Sequence, residues 1–110
     1  MKVDNLNNFT KGWFIGDFEP SLYKNKDFEV AVKRYNKGDK EAKHHHKIST
    51  EYTSIIDGSV LMNGIQYNNG DIIVIEPNES TDFEALTDVV TVVVKTPCSI
   101  DDKCLDQKLM

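Results

Sequence analysis

The stretch GDKEAKHHHKISTEYTSIIDG, from Gly38 to Gly58, carries all three histidines of this 110-residue chain, side by side. Three interpretations are open: the remnant of a purification tag, an accident on a solvated loop, or part of a metal site. Tags sit at chain termini, whereas these histidines lie in the middle of a patterned sequence. The surrounding lysines and glutamates fit a solvated loop, but a loop leaves the spacing of the histidines unexplained.

On a β-strand, His44 and His46 point to one face and His45 to the other. A rise of about 3.3 Å per residue separates the Cα atoms of His44 and His46 by about 6.6 Å, so the two imidazoles can converge on one ion. Glu51 follows five residues after His46, and a tight bend can return its carboxylate to the same place. Two imidazoles and one carboxylate form the ligand set of a mononuclear divalent metal site.

This spacing resembles the first signature of the cupin family, G-x5-H-x-H-x3,4-E-x6-G. Gly38 is followed after five residues by His44, and His46, Glu51 and Gly58 follow at the required distances. The resemblance implies an all-β fold, the double-stranded β-helix or cupin jelly-roll barrel, in a single domain. It also implies a metal inside the mouth of that barrel.

The second cupin signature, G-x5-P-x-G-x2-H-x3-N, is matched only in part. Pro77 lies one residue farther from Gly70 than the pattern gives, and Leu86 stands in place of the final Asn. Asp82 falls where the last metal-binding histidine belongs, and it would ligate directly, ligate through a water or orient a histidine. The resemblance thus implies one divalent transition metal per chain (Fe, Mn, Zn, Ni or Co), with the ligands His44, His46, Glu51 and Asp82.

The rest of the chain has the pattern of a small all-β protein, with turn signals every 8–12 residues. Asn63-Gly64 supplies the two positive-φ positions of a type I′ hairpin turn. Strands are predicted over 28–35, 50–57, 71–77 and 88–96. In the first of these, Phe28, Val30 and Val32 share one face. The continuous apolar run of 71–77 predicts a strand buried on both faces.

Four further residues are candidates for the wall of the pocket: Tyr35, Lys33, Thr53 and Glu84. Tyr35 and Lys33 lie on the strand that leads into the Gly38 turn, and Thr53 shares the strand face of Glu51. Glu84 shares the strand face of Asp82 and is the alternative to Asp82 for its role at the site. Each of them also has an ordinary explanation in packing or solvent exposure.

Composition excludes several classes of function. The net charge of −5 and the absence of a basic stripe argue against nucleic acid as a partner, and no apolar run is long enough to span a bilayer. The N-terminus has no signal-peptide pattern, and Cys98 and Cys104 do not make a disulfide framework. The sequence therefore predicts a cytoplasmic protein with two reduced thiols.

Residues 1–11 are expected to form a flexible segment, and residues 12–110 the cupin domain, with its motif-bearing part at about 28–96. The aromatic segment GWFIGDF, Gly12 to Phe18, is the candidate contact of a homodimer, as small cupins commonly dimerise; the alternative is that it caps its own barrel.

Two functions follow from these residues. The first is a divalent-metal-dependent enzyme acting on a small organic molecule, dioxygenase-like or isomerase/lyase-like. The alternative is a non-catalytic module that binds or senses a small ligand. In both cases the partner is a small molecule.

Overall fold

Strands dominate the structure, a computed structural model that describes residues 1–98 and 103–105. Two 3-10 turns, Leu6–Asn8 and Thr10–Gly12, precede the first strand. In this part of the chain the strands are β1 (Trp13–Ile15), β2 (Glu29–Tyr35), β3 (Lys40–His46), β4 (Thr50–Asp57), β5 (Ser59–Met62), β6 (Ile65–Asn68), β7 (Ile72–Ile75), β8 (Thr81–Ala85), β9 (Val89–Thr96) and β10 (Lys103–Leu105). The all-β prediction is confirmed.

The strands form two five-stranded antiparallel sheets that pack face to face. The first sheet has the order β1-β2-β9-β4-β7 and the second the order β10-β3-β8-β5-β6. Both sheets contribute to one apolar core, which consists of Ile55, Val60, Met62, Ile75, Phe83, Ala85 and Val89. Because inward and outward positions alternate along each strand, this core fixes which side chains face the interior.

Local sequence signals were accurate where they depend on neighbouring residues alone. The strand predicted over 50–57 matches β4 at both ends. Asn63 and Gly64 adopt φ values of 49° and 79° between β5 and β6, which is the geometry of the predicted type I′ turn. Inward Thr53 and Ile55 are 4% and 0% exposed, as expected if Glu51 points inward.

The prediction that the run 71–77 is buried on both faces is wrong. Its regular part, β7, lies at the edge of the first sheet, and the outward side chains of Ile72 and Val74 are 66% and 46% exposed. Only Ile75 of this strand belongs to the buried core. A continuous apolar run therefore does not establish burial here, because within residues 1–98 and 103–105 no layer covers its outer face.

The inner face of β2 is polar. Glu29 and Ala31 are buried, whereas Val30 and Val32 lie at the outward positions between them. The apolar side chains of Phe28, Val30 and Val32 thus face outward. The inward side chains of β2 include those that line a cavity.

Two remaining sequence predictions concern the membrane and the cysteines. Among the described residues, no helix has the length and apolar character needed to cross a membrane. Cys98 is a half-buried free thiol, and its Sγ donates to the carbonyl oxygen of Asn25 at 3.3 Å. The side chain of Cys104 lies outside the described residues.

Candidate functional site

A β-bulge in β3 gathers three potential ligand side chains on the inner face. Glu41 pairs with Phe83 and His44 with Thr81, so two residues of β3 oppose one residue of β8 between these pairs. A bulge of this kind shifts the alternation by one residue. Glu41 therefore faces the interior together with His44 and His46, which are 9% and 5% exposed.

His46 and Glu51 lie side by side in the site. His46 Nε2 lies 3.4 Å from Glu51 Oε1, and the ring of His44 lies edge-on to that of His46 with centroids 5.6 Å apart. The Nδ1 atom of His44 lies 2.9 Å from the carbonyl oxygen of Ala42. With the proton on Nδ1, that contact is a hydrogen bond and the lone pair of Nε2 is available to a ligand.

A neighbouring lysine adds to the interactions that keep Glu51 ionised. In the sheet register Lys95 of β9 stands between Glu29 of β2 and Glu51 of β4, and its ammonium lies 3.8 Å from the carboxylate of Glu29. Burial by itself would raise the pKa of Glu51. Hydrogen bonds from His46 and Thr53 and the charge of Lys95 outweigh it and hold that pKa below its ordinary value.

A second polar cluster lies on the same wall, centred on Glu41. Its Oε2 is 3.4 Å from the ammonium of Lys33 and 3.5 Å from the hydroxyl of Tyr35. Burial and the nearby carboxylates of Glu41 and Glu51 raise the pKa of Tyr35 far above its ordinary value. The phenol therefore stays protonated, and it can donate a hydrogen bond but gives up its proton less readily than an ordinary tyrosine.

The aromatic segment Gly12–Phe18 contributes to the chain's own site. Trp13 pairs with Ala31 in the register of β1 and β2, and the ammonium groups of Lys95 and Lys33 lie 4.9 and 6.0 Å from the centroid of its ring. Trp13 and Phe18 both line the cavity. This placement corresponds to the alternative in which the segment caps its own barrel.

These side chains enclose a cavity of about 530 Å³. The volume lies in the usual range of small-molecule sites, about 300 to 1,000 Å³. Five carboxylates and three lysines are on its wall, giving a formal charge of −2 with neutral histidines: Glu19, Glu29, Glu41, Glu51, Asp82, Lys11, Lys33 and Lys95. Such a wall attracts cations more than anions unless a cation is already bound.

The fold that surrounds this cavity is found in other proteins. A protein with a double-stranded β-helix domain from Klebsiella pneumoniae matches with a TM-score of 0.71 at 19% identity, over 97% of this chain and 93% of that one. An RmlC-like cupin from Shewanella frigidimarina matches with a TM-score of 0.64 at 17% identity, over 70% of this chain and 72% of that one. The chain has the cupin fold. The resemblance inferred from sequence is thus confirmed at the level of the fold.

The DMSP lyase DddQ from Ruegeria pomeroyi shares the cupin fold, with a TM-score of 0.67 at 16% identity, over 80% of this chain and 47% of that one. No protein-family model matches the chain, and no curated protein matches it in sequence. At these identities the likeness concerns the fold, and the chemistry has to be argued from the residues of the site.

Within the cupin fold, the structure does not bring Asp82 to the histidines. The inward positions of β8 are Thr81 and Phe83, and Asp82 between them is exposed. Its Oδ1 accepts a hydrogen bond of 2.7 Å from the backbone N–H of Asn63, so it supports the β5–β6 turn at the rim of the cavity. Glu84 is half-buried on the same face of β8 as Asp82 and is not part of the cavity wall.

The metal site is not preformed in the described part of the chain. No three His, Cys, Asp or Glu side chains lie there in a group ready to hold a metal ion. His46 Nε2 and Glu51 Oε1 are nevertheless spaced like two ligand atoms of one ion. Ligand atoms about 2.1 Å from an ion at a tetrahedral angle lie about 3.4 Å apart. The buried Nδ1 of His46 also has no hydrogen-bond partner among these residues, so its ring is held by one polar contact alone. The donor chemistry fits a divalent ion, and adjustment of His44 would complete the set.

Sequence reasoning missed several residues of the wall, above all Glu41, Glu29 and Lys95. Glu41 is part of the histidine stretch, but strict alternation places Ala42 on the inner face in its stead, and a bulge leaves no clear sequence signal. Lys95 could have been found by extending the inward set of β9 to its end. Tyr35, Lys33 and Thr53, which were predicted, do line the cavity.

Proposed function

We propose that this protein is a divalent-metal-dependent enzyme acting on a small organic molecule. One observation carries the proposal: His46 and Glu51 lie 3.4 Å apart, beside His44, on the wall of a cavity of about 530 Å³. Buried polar side chains that converge on a substrate-sized cavity are the usual mark of an active site.

His44, His46 and Glu51 would hold the ion. Two imidazoles and one carboxylate suit Fe, Mn, Zn, Ni or Co, and the negative wall of the cavity favours a divalent cation. Asp82 would join only if its carboxylate released the backbone of Asn63. When bound, the ion would supply a Lewis acid that polarises an oxygen of the substrate.

The other polar groups on the wall can position the substrate and move its protons. The Glu41 carboxylate can accept a proton, and the neutral Tyr35 hydroxyl beside it can hold a substrate oxygen by donating a hydrogen bond. Lys95 and Thr53 fix the position and charge of Glu51, and Trp13 closes the cavity on the side of β1. This arrangement supports acid–base chemistry of the lyase or isomerase type at least as well as oxygenation, and one neighbour of the same fold is a lyase.

The proposal predicts a metal that depends on one histidine and not on its neighbour. Protein purified without chelators is expected to contain about one divalent transition metal per chain by elemental analysis. His46→Gln is expected to lose most of it, because His46 Nε2 and Glu51 Oε1 lie 3.4 Å apart, at the spacing of two ligand atoms on one ion. His45→Gln is the matched control, since His45 precedes it on β3 and is half-buried on the opposite face.

Two outcomes would contradict the metal site. One is a metal-free wild-type protein whose melting temperature does not rise with any of the five ions. The other is equal loss of metal from both variants. A metal-free protein that still binds small molecules in this cavity would instead support the alternative, a non-catalytic ligand-binding module. The cytoplasmic location and the homodimer are further parts of the proposal.

A further inference from the structure

A second concave surface lies beside β2, where the chain's N-terminal turns meet the start of β3. Within the described residues, β1 pairs with β2 only at Val30 and Ala31. The turn Thr10–Gly12 packs beside β2 where that pairing ends. Residues 6–12, 32–35 and 39–41 contribute the walls of a groove of about 590 Å³, which we call the N-terminal groove. Its volume is in the range of small-molecule sites.

The wall that the N-terminal turns contribute is packed against β2. Gly12 has a φ of 82°, and a Cβ atom on it would collide with the carbonyl oxygen of Val32. Only a glycine allows so close an approach of the two backbones. The preceding turn is closed by a hydrogen bond of 3.1 Å from the backbone N–H of Phe9 to the carbonyl oxygen of Leu6. Both of these side chains are half-buried on the groove wall and give it an apolar side.

The charge of the N-terminal groove is opposite to that of the chain. Four cationic and two acidic side chains line it, which gives a formal charge of +2: Lys11, Lys33, Arg34, Lys40, Asp39 and Glu41. The chain as a whole carries −5, and the neighbouring cavity with the candidate metal ligands carries −2. A concave surface lined by one sign of charge concentrates ions of the other sign. The groove therefore favours anions, whereas the neighbouring cavity favours cations.

Three of these cations are not neutralised by a carboxylate. Among the described residues, no ion pair includes Lys11, Arg34 or Lys40, and all three side chains are exposed. The nearby carboxylate of Asp39 instead accepts a hydrogen bond of 2.7 Å from the backbone N–H of Asn36. Arg34 is the one arginine of the chain. Its planar guanidinium can donate two parallel hydrogen bonds to a carboxylate or a phosphate, which an ammonium cannot.

We propose that the N-terminal groove binds a small organic anion. Lys11, Arg34 and Lys40 bind its carboxylate or phosphate group, and its apolar body packs against Leu6 and Phe9. This site is separate from the candidate metal site, and its occupancy does not depend on a bound metal.

The N-terminal groove shares a wall with the cavity of the candidate metal site. Lys11, Lys33, Tyr35 and Glu41 line both. The ammonium of Lys33 lies 3.4 Å from the Glu41 carboxylate, so that ion pair belongs to the boundary between a positive and a negative cavity. A bound anion would therefore lie next to the polar cluster around Glu41 without occupying the position of a metal ion.

The test is calorimetric titration of the whole chain at low ionic strength, where exposed charges are least screened. The probes are phenyl phosphate, benzoate and inorganic phosphate. At least one of the two organic anions is expected to bind about tenfold more tightly than inorganic phosphate, because only these can bury apolar surface in the groove. The tighter of the two identifies the preferred anionic group. Arg34→Gln is expected to weaken this binding at least about tenfold, since it removes charge-assisted hydrogen bonds.

Lys37→Gln is the matched control. Lys37 is exposed three residues after Arg34 and is not part of the groove wall, so this variant removes the same charge and should bind like wild type. Arg34 is itself exposed, and far-ultraviolet circular dichroism shows whether each variant is folded. If Arg34→Gln does not fold, Lys40→Gln takes its place, with the same loss expected.

His46→Gln distinguishes this site from the candidate metal site. It should bind the organic anion as tightly as wild type, whether or not the protein holds a metal. In wild type, the backbone amide resonances of Gly12, Arg34 and Lys40 should shift on titration. The proposal would be overturned if neither organic anion bound at millimolar concentration or if inorganic phosphate bound as tightly. Equal weakening by Arg34→Gln and Lys37→Gln, or loss of binding in His46→Gln, would also overturn it.

Discussion

At the scale of single residues, Tyr35 is the side chain whose state the structure determines most clearly. It is packed against Phe83 with ring centroids 4.5 Å apart, and its hydroxyl faces the carboxylate of Glu41. Burial and negative charge act in the same direction, because both disfavour a phenolate. Tyr35 can therefore serve as a neutral donor over the whole physiological range of pH.

This leads to a prediction for an alkaline titration followed by absorbance at 295 nm. While the protein is folded, wild type and Tyr35→Phe are expected to show the same rise in absorbance, since Tyr35 contributes no phenolate. In the unfolded chain Tyr35 ionises near pH 10, so the part of the stability that depends on its protonated form is present below pH 10 and is lost as the pH rises above it. Wild type should accordingly lose more stability than Tyr35→Phe above pH 10. A larger rise in the absorbance of folded wild type would contradict the prediction.

Individual site residues were predictable from sequence only where the strand is regular. His44 and His46 follow simple alternation, and so does Thr53 beside Glu51. Glu41 does not, because the bulge of β3 shifts the alternation between Glu41 and His44. Asp82 lies opposite that bulge on β8, at an outward position that a motif aligned by residue count cannot distinguish from an inward one.

At the scale of elements, the two glycines that bound the histidine signature have different structural roles. Gly38 and Gly58 both have positive φ, 91° and 98°, which residues with a side chain adopt at a cost. A Cβ atom on Gly38 would have open space around it, whereas one on Gly58 would collide with the carbonyl oxygen of Asp88. Gly58 thus allows the start of β5 to approach the start of β9.

Gly38→Ala and Gly58→Ala test this difference in urea denaturation. Gly38→Ala is expected to lower the free energy of unfolding by about 1–2 kcal/mol, the cost of the left-handed backbone alone. Gly58→Ala should cost at least about 1 kcal/mol more, because backbone must also move. Equal losses would show that Asp88 can give way freely and that conformation alone explains both glycines.

Elements as such were largely predictable, but their place in the sheets was not. The bounds of β4 and the Asn63-Gly64 turn depend on neighbouring residues, so the sequence contains the necessary information. Whether an apolar run such as β7 becomes a central or an edge strand depends on the pairing of the whole chain. Ile72 and Val74 were assigned to a buried strand for that reason, although they remain 66% and 46% exposed among the residues that the structure describes.

At the scale of the whole molecule, the inner and outer faces of the first sheet differ in composition. The inner face of the first sheet changes from apolar at Ile55 and Val89 to polar at Glu51 and Lys95, so one end of the barrel is packed and the other holds the candidate site. On the outer face of the same sheet, two cross-strand rows are apolar apart from Ser54, Val30-Val94-Tyr52-Val74 and Val32-Val92-Ser54-Ile72, and charge returns at Arg34, the next outward position of β2. Alternation alone predicts that two sets exist on each strand, but only the order of the strands shows that the outward sets join into one surface.

If that surface joins two copies, stability must depend on the concentration of the chain. A partner that binds only the folded state raises the free energy of unfolding by mass action, so a tenfold increase in concentration adds about 1.4 kcal/mol per mole of dimer. For a domain of this size that corresponds to a rise in Tm of roughly 3 to 5 °C. Scanning calorimetry over a hundredfold range of concentration should show this rise for wild type and a nearly constant Tm for Val74→Lys. Ile65→Lys is the control, since Ile65 is 56% exposed on β6 at the edge of the other sheet, and it should behave like wild type. A constant Tm for wild type would mean that this surface has no partner in the purified protein, because any folded dimer in exchange with monomer has to produce the shift.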